Sequence, residues 1–322
     1  MTRRRVGQLD WVDAAVSQRK GQRRDNLLAV SRLVDWAPFD RVLSVVYASK
    51  RGEASYPPLV MFKVLLLQRW YTLSDPAMEE ALSDRLSFRR FAGLSLTDET
   101  PDHTTIWRFR GELERLGLDE KLFAELSRQL DGHGVILRKG TLIDASLVAS
   151  AARRPRMDEE KESPLDPEAR FGTNNERQRY VFGYKMHVAV DAGAHLVRAV
   201  ELTPANVQEV TRAGALVQGD EMAVFADRAY DAGWLHDQLA TQGIADGIMR
   251  RGPRDPQLAA ETTARNKQLS LRRRPVEAFY GTLKRCYGFS RMRYFTMARN
   301  RVALTVACMA FNLRRLAVLS TP

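Results

Sequence analysis

Two short apolar runs in the second half of the chain each close on an aspartate, and they limit the folds open to it. TLIDASLV puts Asp144 directly after Leu142 and Ile143, and EMAVFADRAYD puts Asp227 after Val224, Phe225 and Ala226. Runs this short, bounded by turn residues and rich in β-branched or aromatic side chains, read as strands that end on a polar position. Between them YKMHVAVDAGAHLVRAVELT alternates about a turn at residues 191–194, which reads as a β-hairpin. PANVQEVTRAGALV and WLHDQLATQG read as helices, IADGIMR as a strand, and PVEAFYGTLKRCYGF and TMARNRVALTVACMAFNLRRLAVL as two closing helices. Strands interleaved with helices, together with a hairpin, require an α/β domain with a mixed sheet.

The first 135 residues have a different period. Pro57 and Pro58 open the helical run LVMFKVLLLQRW. In SDPAMEEALSDRLSFRRFAGL, Ser74 caps, Pro76 sits in the first turn and Gly93 ends the run. Thr104 or Thr105 caps a helix carrying Trp107, Phe109 and Leu113, with Arg108 and Arg110 beside them. The chain therefore divides into a helical unit, 1–135, which reads equally as a DNA-binding bundle with a helix-turn-helix or as a plain bundle, and an α/β unit, 136–322. The charged, proline-containing stretch 152–178 reads as a loop inside the second unit.

Charge narrows the partners. Fifty Lys and Arg against 39 Asp and Glu give a formal net charge of +11. A field of that sign favours a polyanion, most often nucleic acid. Cys286 and Cys308 have no metal-ligand spacing, so neither zinc nor a disulfide framework is expected, in keeping with a reducing cytosol. The basic N-terminus lacks the apolar stretch of a signal peptide, and PPLVMFKVLLLQRWY is broken by Lys63 and Arg69, too short to span a bilayer. No membrane partner is expected.

Acids at the carboxyl ends of neighbouring strands face a shared crevice in open α/β sheets. Asp144 and Asp227 sit beside apolar residues, and a hard divalent cation such as Mg²⁺ or Mn²⁺ is the simplest partner for them. A third acid, Glu277, lies inside the basic run SLRRRPVEAFYGTLKR. With Pro275 as the first helical residue, Glu277 falls in the first turn, where the macrodipole favours an anion. Lys284 is then two turns on, on the same face. Singly, each acid reads more readily as a cap, a turn residue or a modest surface ion pair. Together they have the convergence that metal-assisted phosphoryl chemistry needs. Arg272, Arg273, Arg274, Lys284 and Arg285 form a basic run that is favourable against DNA. Lys185 is a weaker candidate for a phosphate contact, as are Arg108 and Arg110 in the helical half. His187 reads as a structural strand histidine and Trp234 as an aromatic packed on the sheet.

From about residue 20 to residue 316 the chain resembles a DDE transposase of a bacterial insertion sequence, in the insertion-sequence-five group, related to the insertion-sequence-four group. LIDASLV, FGYKMHVAVD followed by LTPANVQE, ADRAYD and RRRPVEAFYGTLKR carry the resemblance, with PPLVMFKVLLLQRW and PDHTTIWRFR in the helical half. The resemblance implies an RNase H-like fold in which Asp144, Asp227 and Glu277 bind two Mg²⁺ (or Mn²⁺) ions. It implies strand cleavage and then strand transfer, by in-line displacement at phosphorus and without a covalent protein–DNA intermediate. The family's tyrosine, arginine, glutamate, lysine signature is matched by Arg273, Glu277 and Lys284, while Ser270 stands where the tyrosine belongs. Arg228 replaces a frequent lysine and keeps the charge. The implied partners are double-stranded DNA (terminal inverted repeats and target) and a second copy in the working complex, and the implied location is the bacterial cytoplasm, at the nucleoid. A nuclease of the same fold would cut without joining. An inactive DNA-binding relative would have no reason to keep three acids.

Overall fold

In a computed structural model, residues 4–8, 26–46, 55–155, 162–174, 179–252 and 255–320 are described. They form two compact units, Met1–Gly132 with Thr305–Pro322, and His133–Leu304. The second boundary differs from a simple division at residue 135, because the closing helix belongs partly to each unit.

The regular elements of the first unit are helices: α1 (Asn26–Leu33), α2 (Ala37–Leu43), α3 (Pro58–Trp70), α4 (Asp75–Asp84), α5 (Leu86–Ala92), α6 (His103–Leu116) and α7 (Leu118–Gly132). α3 starts at Pro58, where a missing N–H costs nothing. Eleven of its thirteen residues are buried, which explains why its sequence is apolar all round rather than along one stripe. The run expected to be one helix from Ser74 to Gly93 is two. Ser74 does cap α4, its hydroxyl accepting from the Ala77 N–H, but Arg85 leaves the helical region at φ −103°, ψ 106° and separates α4 from α5. The cap of α6 is Asp102 rather than a threonine; its carboxylate accepts the Thr105 N–H at 2.7 Å. Gly117, at φ 58°, stops α6 so that α7 can begin at once. Phe39 stacks on Phe62 and Trp70 meets Phe91 edge-on in the core.

Among its described residues the second unit has six strands: β1 (Thr141–Ala149), β2 (Arg170–Asn174), β3 (Arg179–Asp191), β4 (Val197–Pro204), β5 (Ala223–Ala226) and β6 (Ala245–Ile248). The sheet order is β2-β3-β1-β5-β6, with β4 also on β3. β1, β2 and β4 pair antiparallel with β3, whereas β1–β5 and β5–β6 are parallel. β3 is long enough that β2 takes its first residues and β4 the rest. At the changeover stands Gly183, where an added Cβ would lie 2.2 Å from the Val148 carbonyl oxygen. The hairpin turn is fixed by Asp191, whose Oδ1 accepts the N–H groups of Gly193 and Ala194.

Three expectations are corrected here. The charged stretch 152–178 contains a strand, β2, because it completes the edge of β3; residues 156–161 and 175–178 lie outside those described. The stretch after β4 is a 3₁₀ turn, Glu209–Arg212, and a single α turn, α8 (Ala213–Leu216), rather than a full helix. Pro275 does not start a helix. α10 (Pro256–Cys286) runs for 31 residues with Pro275 in its interior. Its start is Asp255, whose side chain accepts from the N–H groups of Gln257 and Leu258, with Pro256 as first residue. The polar first half of α10 is held to the sheet: Arg265 donates to the carbonyls of Ile248 and Asp246, and Asn266 bonds both the N–H and the carbonyl of Arg250.

Ile143, Ala189, Val224, Ala226 and Ile248 from the sheet pack with Leu216, Tyr230 and, from α9 (Gly233–Thr241), Leu235 and Leu239. The last helix, α11 (Met297–Leu319), is long and apolar enough to cross a bilayer, but 72% of its most apolar window is buried within the protein, as in a core helix.

Candidate active site

The parallel pairing of β1 with β5 sets Thr141 beside Val224 and Leu142 beside Phe225. Two residues further along that register Asp144 comes level with Asp227. Asp144 is thus not at a strand end, since β1 continues to Ala149. β5 is short: it stops at Ala226, and the chain turns through the 3₁₀ turn Arg228–Tyr230, which Asp227 caps by accepting the Ala229 N–H at 2.9 Å.

A third carboxylate joins them from a different direction. Glu209 opens the 3₁₀ turn after β4, and oxygens of Asp144, Glu209 and Asp227 lie within 4.8 Å of one another. Two cations make ion pairs with this group, among the described residues. Arg273 on α10 reaches Asp144 at 3.0 Å, and Lys185 on β3 reaches Glu209 at 3.3 Å. Burial pushes Asp144 up to about 7; Arg273 opposes the rise, and Asp227 and Glu209 add to it. Burial raises Glu209 as well, against the pull of Lys185. Tyr230 is fully buried, its hydroxyl makes no hydrogen bond, and burial reinforced by Glu209, Asp144 and Asp227 keeps it protonated. Three hard oxygen donors within 4.8 Å of one another, with an unsatisfied buried hydroxyl beside them, fit a divalent cation.

α10 packs against β1 and β5. Its buried stripe, Arg273, Val276, Phe279, Tyr280 and Leu283, follows the helical period. The Tyr280 hydroxyl lies 2.9 Å from the carbonyl oxygens of Asp144 and of Met186, and Lys284 donates to Ser146 Oγ at 2.7 Å and to the Leu147 carbonyl. Glu277 is one turn after Arg273 and just under a turn before Tyr280. Its side chain is exposed, outside the carboxylate group, and among the described residues it makes no ion pair or hydrogen bond. It is deep inside α10, so the first-turn dipole argument for it does not hold.

The basic residues separate into exposed and buried sets. Arg272, Arg274 and Arg285 on α10 and Arg108 on α6 are exposed, with Arg272 lying over the Phe225 ring. Arg110 is a correction: it is 1% exposed, part of the buried stripe of α6, and its guanidinium is consumed by Asp75 at 2.7 Å and Gln68 at 2.9 Å. Lys185 is a second correction, because it is buried with Glu209 and donates to the Val207 carbonyl at 2.9 Å. Neither side chain is free to meet DNA. Arg273 is buried on Asp144, and Lys284 is partly buried on β1. His187 is structural, as read: burial, with Lys185 and Arg212 nearby, lowers it to about 3, and its Nε2 pairs with Thr203 Oγ1. Trp234 is about half exposed, at 48%, instead of packed on the sheet.

Comparison with known proteins decides what this arrangement belongs to. Residues 15–112 match the family described as Transposase domain (DUF772), and residues 137–313 match the family described as Transposase DDE domain. The chain belongs to the DDE transposase family. The transposase is a DNA-cleaving and strand-transferring enzyme, of a family that typically uses a divalent metal. Among solved structures it is similar to a piggyBac transposase in a synaptic complex with hairpin DNA, at 12% identity over 92% of this chain and 76% of that one, with a TM-score of 0.47. It is also similar to the protein of the Mos1 strand transfer complex, at 14% identity over 85% and 84%, with a TM-score of 0.20. Both likenesses are too loose to fix a fold. The residue that sequence reasoning missed in the transposase is Glu209. It stands in LTPANVQE, but an acid three residues before Arg212 in a helix-like run carries no signal of its own.

Proposed function

We propose that Asp144, Asp227 and Glu277 are the catalytic acids of this DNA transposase, on an RNase H-like unit, and that the enzyme is of the insertion-sequence-five group. The observation that carries this reading is that the carboxylates of Asp144, in β1, and of Asp227, directly after its parallel neighbour β5, lie within 4.8 Å of each other. The sheet order, with antiparallel β4, β3 and β1 followed by parallel β5 and β6, supports the RNase H-like assignment.

Asp144 and Asp227 would hold Mg²⁺ or Mn²⁺, and Glu277, exposed on α10 one turn after Arg273, would supply the third acid. Such ions, when bound, offset the charge that builds on the attacking and leaving oxygens of an in-line displacement at phosphorus. The chain's own residues do the positioning. Arg273 restrains the Asp144 carboxylate, and Tyr280 pins the backbone of β1 at the same residue. Lys284 clamps β1 one turn further along α10. Arg272, Arg274 and Arg285 stay exposed on α10 and hold the DNA backbone, which fixes its register without reading sequence. The helical first unit binds the terminal repeats, with Arg108 at the phosphates, and two copies pair the two ends.

Glu277→Gln keeps the size and polarity of the side chain, removes its charge and replaces one acceptor oxygen by a donor. It is expected to reduce cleavage at a terminal repeat by at least about 100-fold while DNA binding in a gel-shift assay stays near wild type. Cleavage by Glu277→Gln at the wild-type rate would remove Glu277 from the site.

A further inference from the structure

We propose that Glu209 is a fourth acid of the catalytic centre, a direct ligand of the divalent cation that Asp144 and Asp227 hold, and that Tyr230 orients the donor set. The inference rests on the reading of Asp144 and Asp227 given above and extends it to a residue outside the three acids.

Three observations carry it. The first is geometric: Glu209, and not Glu277, has its carboxylate within 4.8 Å of both aspartates. A glutamate serving only as the partner of Lys185 has no reason to approach two further acids, because like charges at that distance repel. The second is ion pairing. Arg273 pairs with Asp144 and Lys185 with Glu209, whereas Asp227 has no ion pair among the described residues. An added cation would give Asp227 a partner. The third is Tyr230. Its hydroxyl is fully buried, without a hydrogen-bond partner, and in the field of Glu209, Asp144 and Asp227. A buried hydroxyl left unsatisfied is costly, and a carboxylate oxygen or water ordered about a cation gives it an acceptor.

The approach to the site is also built. Lys185 donates to the Val207 carbonyl and pairs with Glu209, so one side chain fixes both the loop after β4 and the carboxylate it carries. Glu209 opens the 3₁₀ turn directly after that anchored loop. Its position is therefore set by the sheet through β3 and β4, independently of α10, which carries Glu277. The two glutamates would reach the aspartates from separate elements.

The test is a titration of the full-length, DNA-free protein with Mn²⁺, following free Mn²⁺ by its electron paramagnetic resonance signal. Wild type, Glu209→Gln, Glu209→Asp, Tyr230→Phe and Asp227→Asn are compared after each is shown to unfold cooperatively. The expected result is that Glu209→Gln weakens Mn²⁺ binding about 10- to 100-fold, that Glu209→Asp recovers part of the loss, and that Tyr230→Phe falls between. A merely structural glutamate would not distinguish Gln from Asp in this order. Glu209→Gln binding Mn²⁺ like wild type, while Asp227→Asn loses it, overturns this inference and leaves the aspartates in place. Unchanged Mn²⁺ binding in Asp227→Asn overturns the underlying reading of the aspartates, and this inference with it.

Discussion

Asp144 is under opposing pressures: burial and two neighbouring acids favour its neutral form, and Arg273 favours its anion. Burial wins, and the carboxyl titrates near 7 in the metal-free protein, well above its unfolded value. Between about pH 4 and pH 7 the folded state therefore binds a proton that the unfolded state has lost, so this group's contribution to stability falls as pH rises through that window. A cation needs the anion, and its stabilising effect must grow over the same range. Metal-free wild type is expected to lose more thermal stability from pH 5 to pH 8 than Asp144→Asn does, and the rise in Tm caused by Mn²⁺ is expected to be larger at pH 8 than at pH 6. An equal Mn²⁺ shift at both pH values would contradict the titration assigned to Asp144. The two arginines of α6 differ just as clearly. Arg110→Ala breaks a buried pair with Asp75 and is expected to cost about 3 kcal/mol in denaturant unfolding. Arg108→Ala is expected to stay within about 0.5 kcal/mol while lowering the salt dependence of DNA binding by about one ion. The sequence places both residues next to Trp107 and Phe109; only the register of the buried stripe, Ile106, Phe109, Arg110 and Leu113, tells them apart.

Among the elements, α10 departs most from what its sequence suggests. Its first half is polar and carries no apolar stripe, so periodicity is silent there, and Pro275 before Val276 looks like a start. The real start has the same chemistry nineteen residues earlier, in Asp255 and Pro256, and the polar half is secured by Arg265 and Asn266 rather than by apolar burial. An interior proline lacks one hydrogen bond and crowds the preceding turn. Replacing it therefore gains more in the folded helix than it loses through the freer unfolded chain. Pro275→Ala is expected to raise stability by about 1 to 2 kcal/mol, read from the denaturation midpoint. A fall in the midpoint would mean that Pro275 acts as a helix start. The strands were easier to read. The hairpin of β3 and β4 shows its alternation and its Asp191 turn openly, and β5 is a four-residue apolar run before an acid. The place of Asp144 within β1 was hidden, because the short run after it, broken by the polar Ser146, sits on a partly exposed strand whose pairing with β3 continues to Ala149.

For the molecule as a whole, net charge and alternating elements are properties of long stretches, and they are legible without coordinates. They led from a +11 chain with a mixed sheet to a polyanion and to two of the clustered acids. What stayed hidden depends on three-dimensional return of the chain: Glu209 meeting two aspartates from other elements, and Thr305 onward rejoining the helical first unit. The central claim is that the level pair Asp144 and Asp227 is where DNA is cut and joined. Its most direct measurement incubates full-length protein with DNA carrying the element's own ends. Cleaved and joined products are scored with Mg²⁺, with chelator, and with Asp227→Asn, alongside DNA binding by each protein. The account predicts metal-dependent cleavage and joining by wild type, neither by Asp227→Asn, and equal DNA binding by both. Cleavage and joining by Asp227→Asn near the wild-type rate would contradict it.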